Sequence, residues 1–479
     1  MEKIAIIGMG SSGMAVLAAY EKEVDPARVS IDCYDSSESF GRGYPYREES
    51  EDVILNLKTR KISYDYQNND DLANWHEENN KPEPVYTSRS AFGEYTRDRL
   101  EKTIAKTKAN KITEMIVRMD RVDGRWELET EKGTIKRYDR VHLCNGELPQ
   151  RHLSAVDQQK NFIQDIYPVK DKLAHIKPTD RVCVIGAGLT GVDVTTHLIT
   201  EKKIGHVAMF SRTNVIPTVR VDPVMLQIKV LTIEKLQQVL AENFGRITFE
   251  RFDELFNEEL KAHDICYDRF VKKHMISGID ELRVNINDPD ELARVQALLP
   301  IMNVVFNKVW DSMGNSDRIK FRAKYHPFMC LNRSPLPLES AEILIKAEDD
   351  GILTMPKDIC DVAVREDGKF VLKRKDGSID ESAGAFDYAI NATGLDTKMT
   401  NVEEKNALLA ELLDKRYVMV DEYGGLAVVP ETMAAISPRY GTLCDLHVHG
   451  VLASGVQYRN NSLLIMQMTA HRSIKELYR

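Results

Sequence analysis

An α/β fold is predicted for this chain of 479 residues, and three features predict it. Two Gly-rich turns, Gly8-Met9-Gly10-Ser11-Ser12-Gly13 and Gly186-Ala187-Gly188-Leu189-Thr190-Gly191, each stand between a strand-like apolar run and a helical one. Each is followed, farther along, by a hairpin pattern and an apolar strand ending in glycine. Residues 221–324 have helical periodicity and no such turn. Together these describe two Rossmann-like dinucleotide-binding domains, each with a β-meander, plus a helical insert.

The first unit runs from the strand Ile4 to Ile7, through the turn and an Ala/Leu-rich helix, to the strand Val29 to Tyr34. The glycines have separate tasks. Gly8 permits the tight turn, Gly10 lets the backbone approach a pyrophosphate, and Gly13 allows the helix to pack closely on the strand, while Ser12 lies in the helix's first turn, where negative charge is favoured. Asp35 stands 22 residues beyond Gly13, at the end of the second strand, where a carboxylate can bind ribose hydroxyls.

The chain repeats this opening 178 residues later, with a strand from Val182 to Ile185, a helix reaching about Thr200 and a strand from His206 to Phe210. Gly186, Gly188 and Gly191 take the same three tasks, with Thr190 near the helix start. No acid ends this second strand. Ser211 and Arg212 stand there instead, and a guanidinium beside a hydroxyl suits a 2′-phosphate, so NADPH is expected here over NADH.

Asp123-Gly124 leads to Lys132-Gly133, and Asp367-Gly368 leads to Asp376-Gly377; in both, the second glycine follows the first by nine positions. Alternating side chains between these turns read as hairpins. The strands after them close at Gly146 and Gly394, which are taken as cofactor-binding positions. In the insert, Leu226, Val230, Ile233, Leu236 and Leu240, then Leu292, Val295, Leu298 and Ile301, are spaced for amphipathic helices. Tyr325-His326-Pro327-Phe328 reads as the return from the insert, with packing as its expected role. A last helix is expected from Asn461 onward, and Trp75 and Trp126 are expected in the core.

Composition excludes several classes. A net charge of -9 leaves no basic face for nucleic acid, and no apolar run is long enough to span a bilayer. Met1-Glu2-Lys3 passes directly into a strand, without the pattern of a secretory signal, so a cytoplasmic location is expected. The seven cysteines, each expected as a small buried hydrophobe, include no C-x-x-C pair, which argues against a dithiol relay. Asp445, His447 and His449 alternate as metal ligands might on a strand face, but an extended strand holds the outer two about 13 Å apart. No metal is expected.

Further on, the tract Phe40-Gly41-Arg42-Gly43-Tyr44-Pro45-Tyr46, then Leu55-Asn56-Leu57, then Arg89, Phe92, Gly93 and Tyr95, resembles that of a bacterial FAD/NAD(P)-binding oxidoreductase family. The whole arrangement is similar to flavin-containing, Baeyer-Villiger and N-hydroxylating monooxygenases. The resemblance implies FAD in the first turn and NADPH in the second, with Arg42, Gly43, Tyr44 and Asn56 as FAD contacts. It implies an FAD-binding domain over 1–165 and 385–479, an NAD(P)-binding domain over 166–220 and 325–384, and the insert over 221–324. The N-hydroxylating frame is kept over Asp387 to Gly394, with Asn391 and Leu395 as departures, whereas the Baeyer-Villiger fingerprint is absent.

The expected function is that of an FAD-dependent, NADPH-using monooxygenase. Hydride would pass from nicotinamide to flavin, and a flavin hydroperoxide would oxygenate a nitrogen, sulfur or carbonyl centre of a small molecule, with dioxygen as the second partner. No side chain is assigned as catalytic acid or base. A reductase, dehydrogenase or oxidase would use the same motifs. So would a non-catalytic regulatory or scaffold protein with the insert as its interaction surface. Oligomeric state stays open.

Overall fold

The computed structural model describes the chain except residues 154, 155, 157, 223, 457 and 459–461. It divides into two compact units, one formed by residues 1–149 and 395–479, the other by 150–394. The crossings thus fall at 149/150 and 394/395, where the sequence placed them at 165/166 and 384/385. Strand pairing sets the difference, as the second unit shows below.

In the first unit β1 (Glu2–Ile7), α1 (Ser11–Glu23) and β2 (Val29–Tyr34) form the expected βαβ unit. Helices α2 (Asp71–Glu78) and α3 (Arg89–Thr107) precede β3 (Asn110–Ile112). The first hairpin is a three-stranded antiparallel sheet of β4 (Ile116–Val122), β5 (Arg125–Thr130) and β6 (Ile135–Tyr138), and β7 (Arg140–Leu143) returns beside β1. Alternation explains the meander: Trp126, Leu128 and Thr130 point inward along β5 while Arg125, Glu127 and Glu129 do not. Trp75 and Trp126 are both buried.

In the second unit β8 (Phe162–Ile163), α4 (Val169–Lys172), β9 (Arg181–Ile185), α5 (Leu189–Thr200) and β10 (His206–Phe210) lead to the insert. Its helices are α6 (Ile233–Glu242), α7 (Phe249–Ala262), α8 (Tyr267–His274), α9 (Asp280–Asn287), α10 (Asp290–Ile301), α11 (Asn303–Ser312) and α12 (Asn315–Arg333). After α13 (Leu338–Asp349) come β11 (Leu353–Thr354), β12 (Ile359–Val364), β13 (Phe370–Arg374) and β14 (Tyr388–Asn391). The sheet runs β11-β10-β9-β14-β8, all parallel. Because β8 pairs with β14, residues on both sides of the expected boundaries belong to this unit. The second hairpin, β12 with β13, is extended only by single bridges from Lys373 to Ile379 and from Phe370 to Phe386.

Two expectations for the insert change. Leu226 and Val230 lie before α6 rather than in it. Glu259, wholly buried on α7, accepts the backbone N–H groups of Lys229 (2.9 Å), Val230 (2.6 Å) and Leu231 (2.8 Å), and Thr232 caps the helix that follows. Those donors, with His263 at 2.8 Å, hold the Glu259 carboxyl below its usual range although burial opposes this. At the other end α12 runs through residues 324 and 325, so Tyr325 and Phe328 are buried among Phe252, Phe256 and Phe270 rather than starting the return. Pro327 sits inside the helix, where its missing N–H costs one hydrogen bond and aromatic packing offsets the loss.

The chain then re-enters the first unit with α14 (Ala407–Asp414), β15 (Ala434–Ser437), β16 (Gly441–Val448) and α15 (Leu463–Leu477). The sheet there is ordered β15-β16-β7-β1-β2-β3, parallel apart from β15. Ser462 caps α15, which packs on α1; Asn461, the expected start, lies outside the described residues. Among the described residues no helix is long and apolar enough to cross a membrane.

Candidate cofactor-binding site

The first and third glycines of the two Gly-rich turns are equally crowded. A Cβ on Gly13 would lie 2.0 Å from the Gly8 carbonyl oxygen, and one on Gly191 would lie 2.0 Å from that of Gly186. In each turn the third glycine lets helix meet strand. Gly8 (φ +91°) and Gly186 (φ +126°) have backbone conformations that disfavour side chains, and a Cβ would strike the backbone of Asn145 or Ala392. The middle glycines differ. A Cβ on Gly10 would meet the Gly43 Cα at 2.9 Å, whereas nothing lies within 4 Å of one on Gly188.

Helices α1 and α5 begin at Gly10 and Gly188 without a side-chain cap, leaving first-turn N–H groups for an anion. Next to the first turn, Asp35 accepts the N–H groups of Met9 (2.6 Å) and Ser36 (2.7 Å). Each oxygen keeps a lone pair for a hydroxyl. Burial pushes this carboxyl up to about 6, against those two backbone donors.

A cleft of about 440 Å³ opens on this turn, entirely within the first unit. Gly8, Gly10, Ser12, Asp35, Gly43, Tyr44 and Gly146 line it, as the sequence suggested they would share a site. Gly13 supports the turn from behind. Arg42 and Asn56 are not among the lining residues: Arg42 lies along α3, its Cδ 3.4 Å from a Cβ on Gly93 and its buried Nε without a hydrogen-bond partner among the described residues, and Asn56 follows the bridge of Ile54 to Ser88. Gly394 (φ +86°) ends the second unit, its carbonyl accepting from the Arg151 N–H at 3.1 Å.

On the second turn, Thr190 is half-buried in the first turn of α5. Ser211 and Asn214 bond reciprocally, Ser211 N to Asn214 Oδ1 (2.7 Å) and Asn214 N to Ser211 Oγ (3.0 Å), which leaves the Ser211 hydroxyl a proton to donate and Arg212 exposed.

Several lining residues come from segments that sequence reasoning did not bring here: Met115 to Val117, Glu147, Lys405, Asn406, Val451 and Met466. Asn406 caps α14 through the Leu409 N–H (3.0 Å) and donates to the Asn145 carbonyl (2.9 Å). An Asn before Ala-Leu-Leu was a readable cap signal. Gly450 was a second clue, since a Cβ there would lie 1.9 Å from Ser12 Oγ. Tyr44 has Arg47 and Lys405 near its ring, at 5.1 and 5.9 Å.

Asp445, His447 and His449 go separate ways. Asp445 pairs with Arg121 at 2.7 Å, His447 Nδ1 meets the Thr432 carbonyl at 2.9 Å, and His449 meets His142 at 3.0 Å. Among the described residues no group of three His, Cys, Asp or Glu is arranged to hold a metal ion. All seven cysteines are free thiols; Cys33, Cys144 and Cys183 are buried as expected, whereas Cys266, Cys330, Cys360 and Cys444 are exposed.

Burial lowers the pKa of His142, His447 (to about 4) and His449 (to about 3). The unfolded chain therefore binds protons first, and stability is lost as pH falls below about 6.5. Thermal melts are expected to show a lower Tm at pH 5.5 than at 7.5, with the His447→Gln variant less sensitive.

Residues 5–148 match a family model described as FAD-NAD(P)-binding. No curated protein matches the chain in sequence. Among solved structures it is similar to L-lysine 6-monooxygenase from Pseudomonas syringae, at 12% identity and TM-score 0.60, over 100% of this chain and 99% of that one. The reduced form of ornithine hydroxylase from Pseudomonas aeruginosa is similar at 12% identity and TM-score 0.58, again over 100% and 99%. So is ornithine N-hydroxylase from Kutzneria sp. 744, with reduced FAD, NADP+ and L-ornithine, at 14% identity and TM-score 0.57 over 100% and 99%. The chain thus has the two-unit fold of these flavin monooxygenases.

Proposed function

We propose that this chain is an FAD-dependent, NADPH-using oxidoreductase, a monooxygenase that oxygenates a nitrogen centre of a small molecule. The observation that carries the reading is the pair of turns, alike in the contacts of their first and third glycines but followed by Asp35 in one unit and by Ser211-Arg212 in the other. The residues fit the two groups. The cleft is bounded by an uncapped helix start and a buried ribose-type acid, and the space over Gly188 is open to a backbone-hugging pyrophosphate. In the first unit Asp35 would hold ribose hydroxyls, the N–H groups at the start of α1 the pyrophosphate, and Gly43 and Tyr44 the wall beside the flavin.

In the second unit Arg212 would hold the 2′-phosphate. Bound together, FAD and NADPH supply a hydride couple that delivers two electrons to dioxygen. The absence of any cysteine pair supports dioxygen over a dithiol as acceptor. Relatives in fold act on lysine and ornithine, which supports a primary amine as the substrate class.

Purified protein should be yellow and should oxidise NADPH faster when a primary amine is added, with hydroxylamine formed. A colourless protein would sink the reading; hydrogen peroxide without hydroxylated product for any amine would make it an oxidase. The Arg212→Ala variant is expected to raise the KM for NADPH by about 10- to 100-fold, the worth of a charged hydrogen bond, and to leave that for NADH nearly unchanged. Steady-state kinetics with both nucleotides checks this.

A further inference from the structure

A dinucleotide brings a dianionic diphosphate into the cleft of the first unit, where little positive charge meets it. Among the described residues that line the cleft, Asp35 and Glu147 are acids and Lys405 is the one lysine or arginine. The uncapped start of α1 supplies about half a positive charge. Arg47 stands outside the lining; its Nη2 donates to Ser39 Oγ at 2.7 Å and lies 3.8 Å from Glu147 Oε2.

Lys405 reaches this cleft from far along the chain because its backbone is fixed there. The N–H groups of Lys405 and Asn406 both donate to the Val402 carbonyl, at 3.2 and 2.8 Å, and Val402 is buried. Asn406 and Asn145 then bond reciprocally: Asn406 Nδ2 donates to the Asn145 carbonyl at 2.9 Å, and Asn406 Oδ1 accepts from Asn145 Nδ2 at 3.2 Å. Asn145 is the residue that a Cβ on Gly8 would strike, its N atom 2.6 Å away. Lys405 is thus rooted on the Gly8 side of the turn.

Its ammonium ends toward the other side. Lys405 Nζ stands 5.9 Å from the centre of the Tyr44 ring, and Tyr44 follows Gly43, whose Cα lies 2.9 Å from a Cβ on Gly10. The side chain therefore runs from the Gly8 side of the turn toward the Gly10 side, along the stretch of backbone that a diphosphate meets. Lys405 is itself exposed, so its charge is kept at the mouth of the cleft without the cost of burial.

We propose that Lys405 is a diphosphate-binding residue, a cationic strap that closes over the cofactor's phosphates and sets how tightly FAD is held. The inference rests on the reading that this cleft holds FAD. Gly10 admits the diphosphate to the N–H groups at the start of α1, and Lys405 neutralises it from the wall that leads into α14.

Titrating the full-length protein, stripped of flavin, with FAD tests this by flavin fluorescence and without turnover. Lys405→Gln removes the charge and little of the length. It is expected to weaken FAD binding by about 10- to 100-fold and to flatten its dependence on ionic strength, whereas Lys405→Arg should keep both near wild type. In competition with FAD, ADP should weaken by the same factor in Lys405→Gln, and adenosine, which has no phosphate, should compete as it does in wild type. Wild-type affinity and salt dependence in Lys405→Gln would overturn the proposal, as would equal weakening of ADP and adenosine. Wild-type protein that takes up no FAD would instead overturn the reading on which it rests.

Discussion

Gly13→Ala is expected to yield protein without flavin colour, and Gly191→Ala to yield yellow protein that fails to oxidise NADPH. Each added Cβ would lie 2.0 Å from a carbonyl oxygen of the first glycine in its own turn, and that atom is backbone rather than a flexible side-chain end. The helix must move off the strand, and with it the N–H groups that start at Gly10 or Gly188. Overpacking of this kind costs about 1–3 kcal/mol or more, and its displacement falls on the groups that would meet a pyrophosphate. The ratio of flavin to protein absorbance checks the first variant, and NADPH oxidation with a thermal melt checks the second. Full colour in Gly13→Ala, with a wild-type melt, would mean that the first turn does not hold the flavin.

Glu281→Gln is expected to stabilise the second unit, increasingly so as pH rises. Glu281 on α9 is wholly buried, and neither carboxyl oxygen has a hydrogen-bond partner among the described residues. Burial pushes its pKa up to about 9, with the backbone at Ile216 the one opposing influence. Below about 4.5 the acid is neutral in both states and costs nothing by titration. Between there and about 9 the unfolded chain has released its proton while the folded chain retains it. Stability therefore falls by about 1.4 kcal/mol per pH unit, about 3 kcal/mol by pH 7.

The amide does not titrate, so the variant should melt on the order of 5–10 °C above wild type near pH 8 and lose that advantage near pH 5. Melts across this range decide it, and a pH-independent difference would contradict the assignment. The sign is opposite to that of His142, His447 and His449 in the first unit, so acid and base should weaken different units.

How far these groups could be read in advance depended on how local their causes are. The strands ending at Tyr34 and Phe210 and the helix ending at Thr200 follow from apolar periodicity beside glycine turns, all within a few residues of chain. Leu226 and Val230 have helical spacing too. Their neighbourhood is held out of the helix by Glu259, about 30 residues away, and no local pattern reports that carboxylate. Pro327 reads as a break, yet the aromatic contacts of Tyr325 and Phe328 keep α12 continuous through it.

The candidate site divides along the same line. From residue order alone came the two glycine turns, Asp35 and the contrast with Ser211-Arg212, because backbone sterics and the end of a strand are short-range facts. Folding supplied the far wall of the cleft, from Lys405, Val451 and Met466, and set Arg42 and Asn56 outside it. It also brought His142 to His449 across 307 residues and left Glu281 without a partner. Such juxtapositions arise from strand order and helix packing, which a linear pattern does not encode.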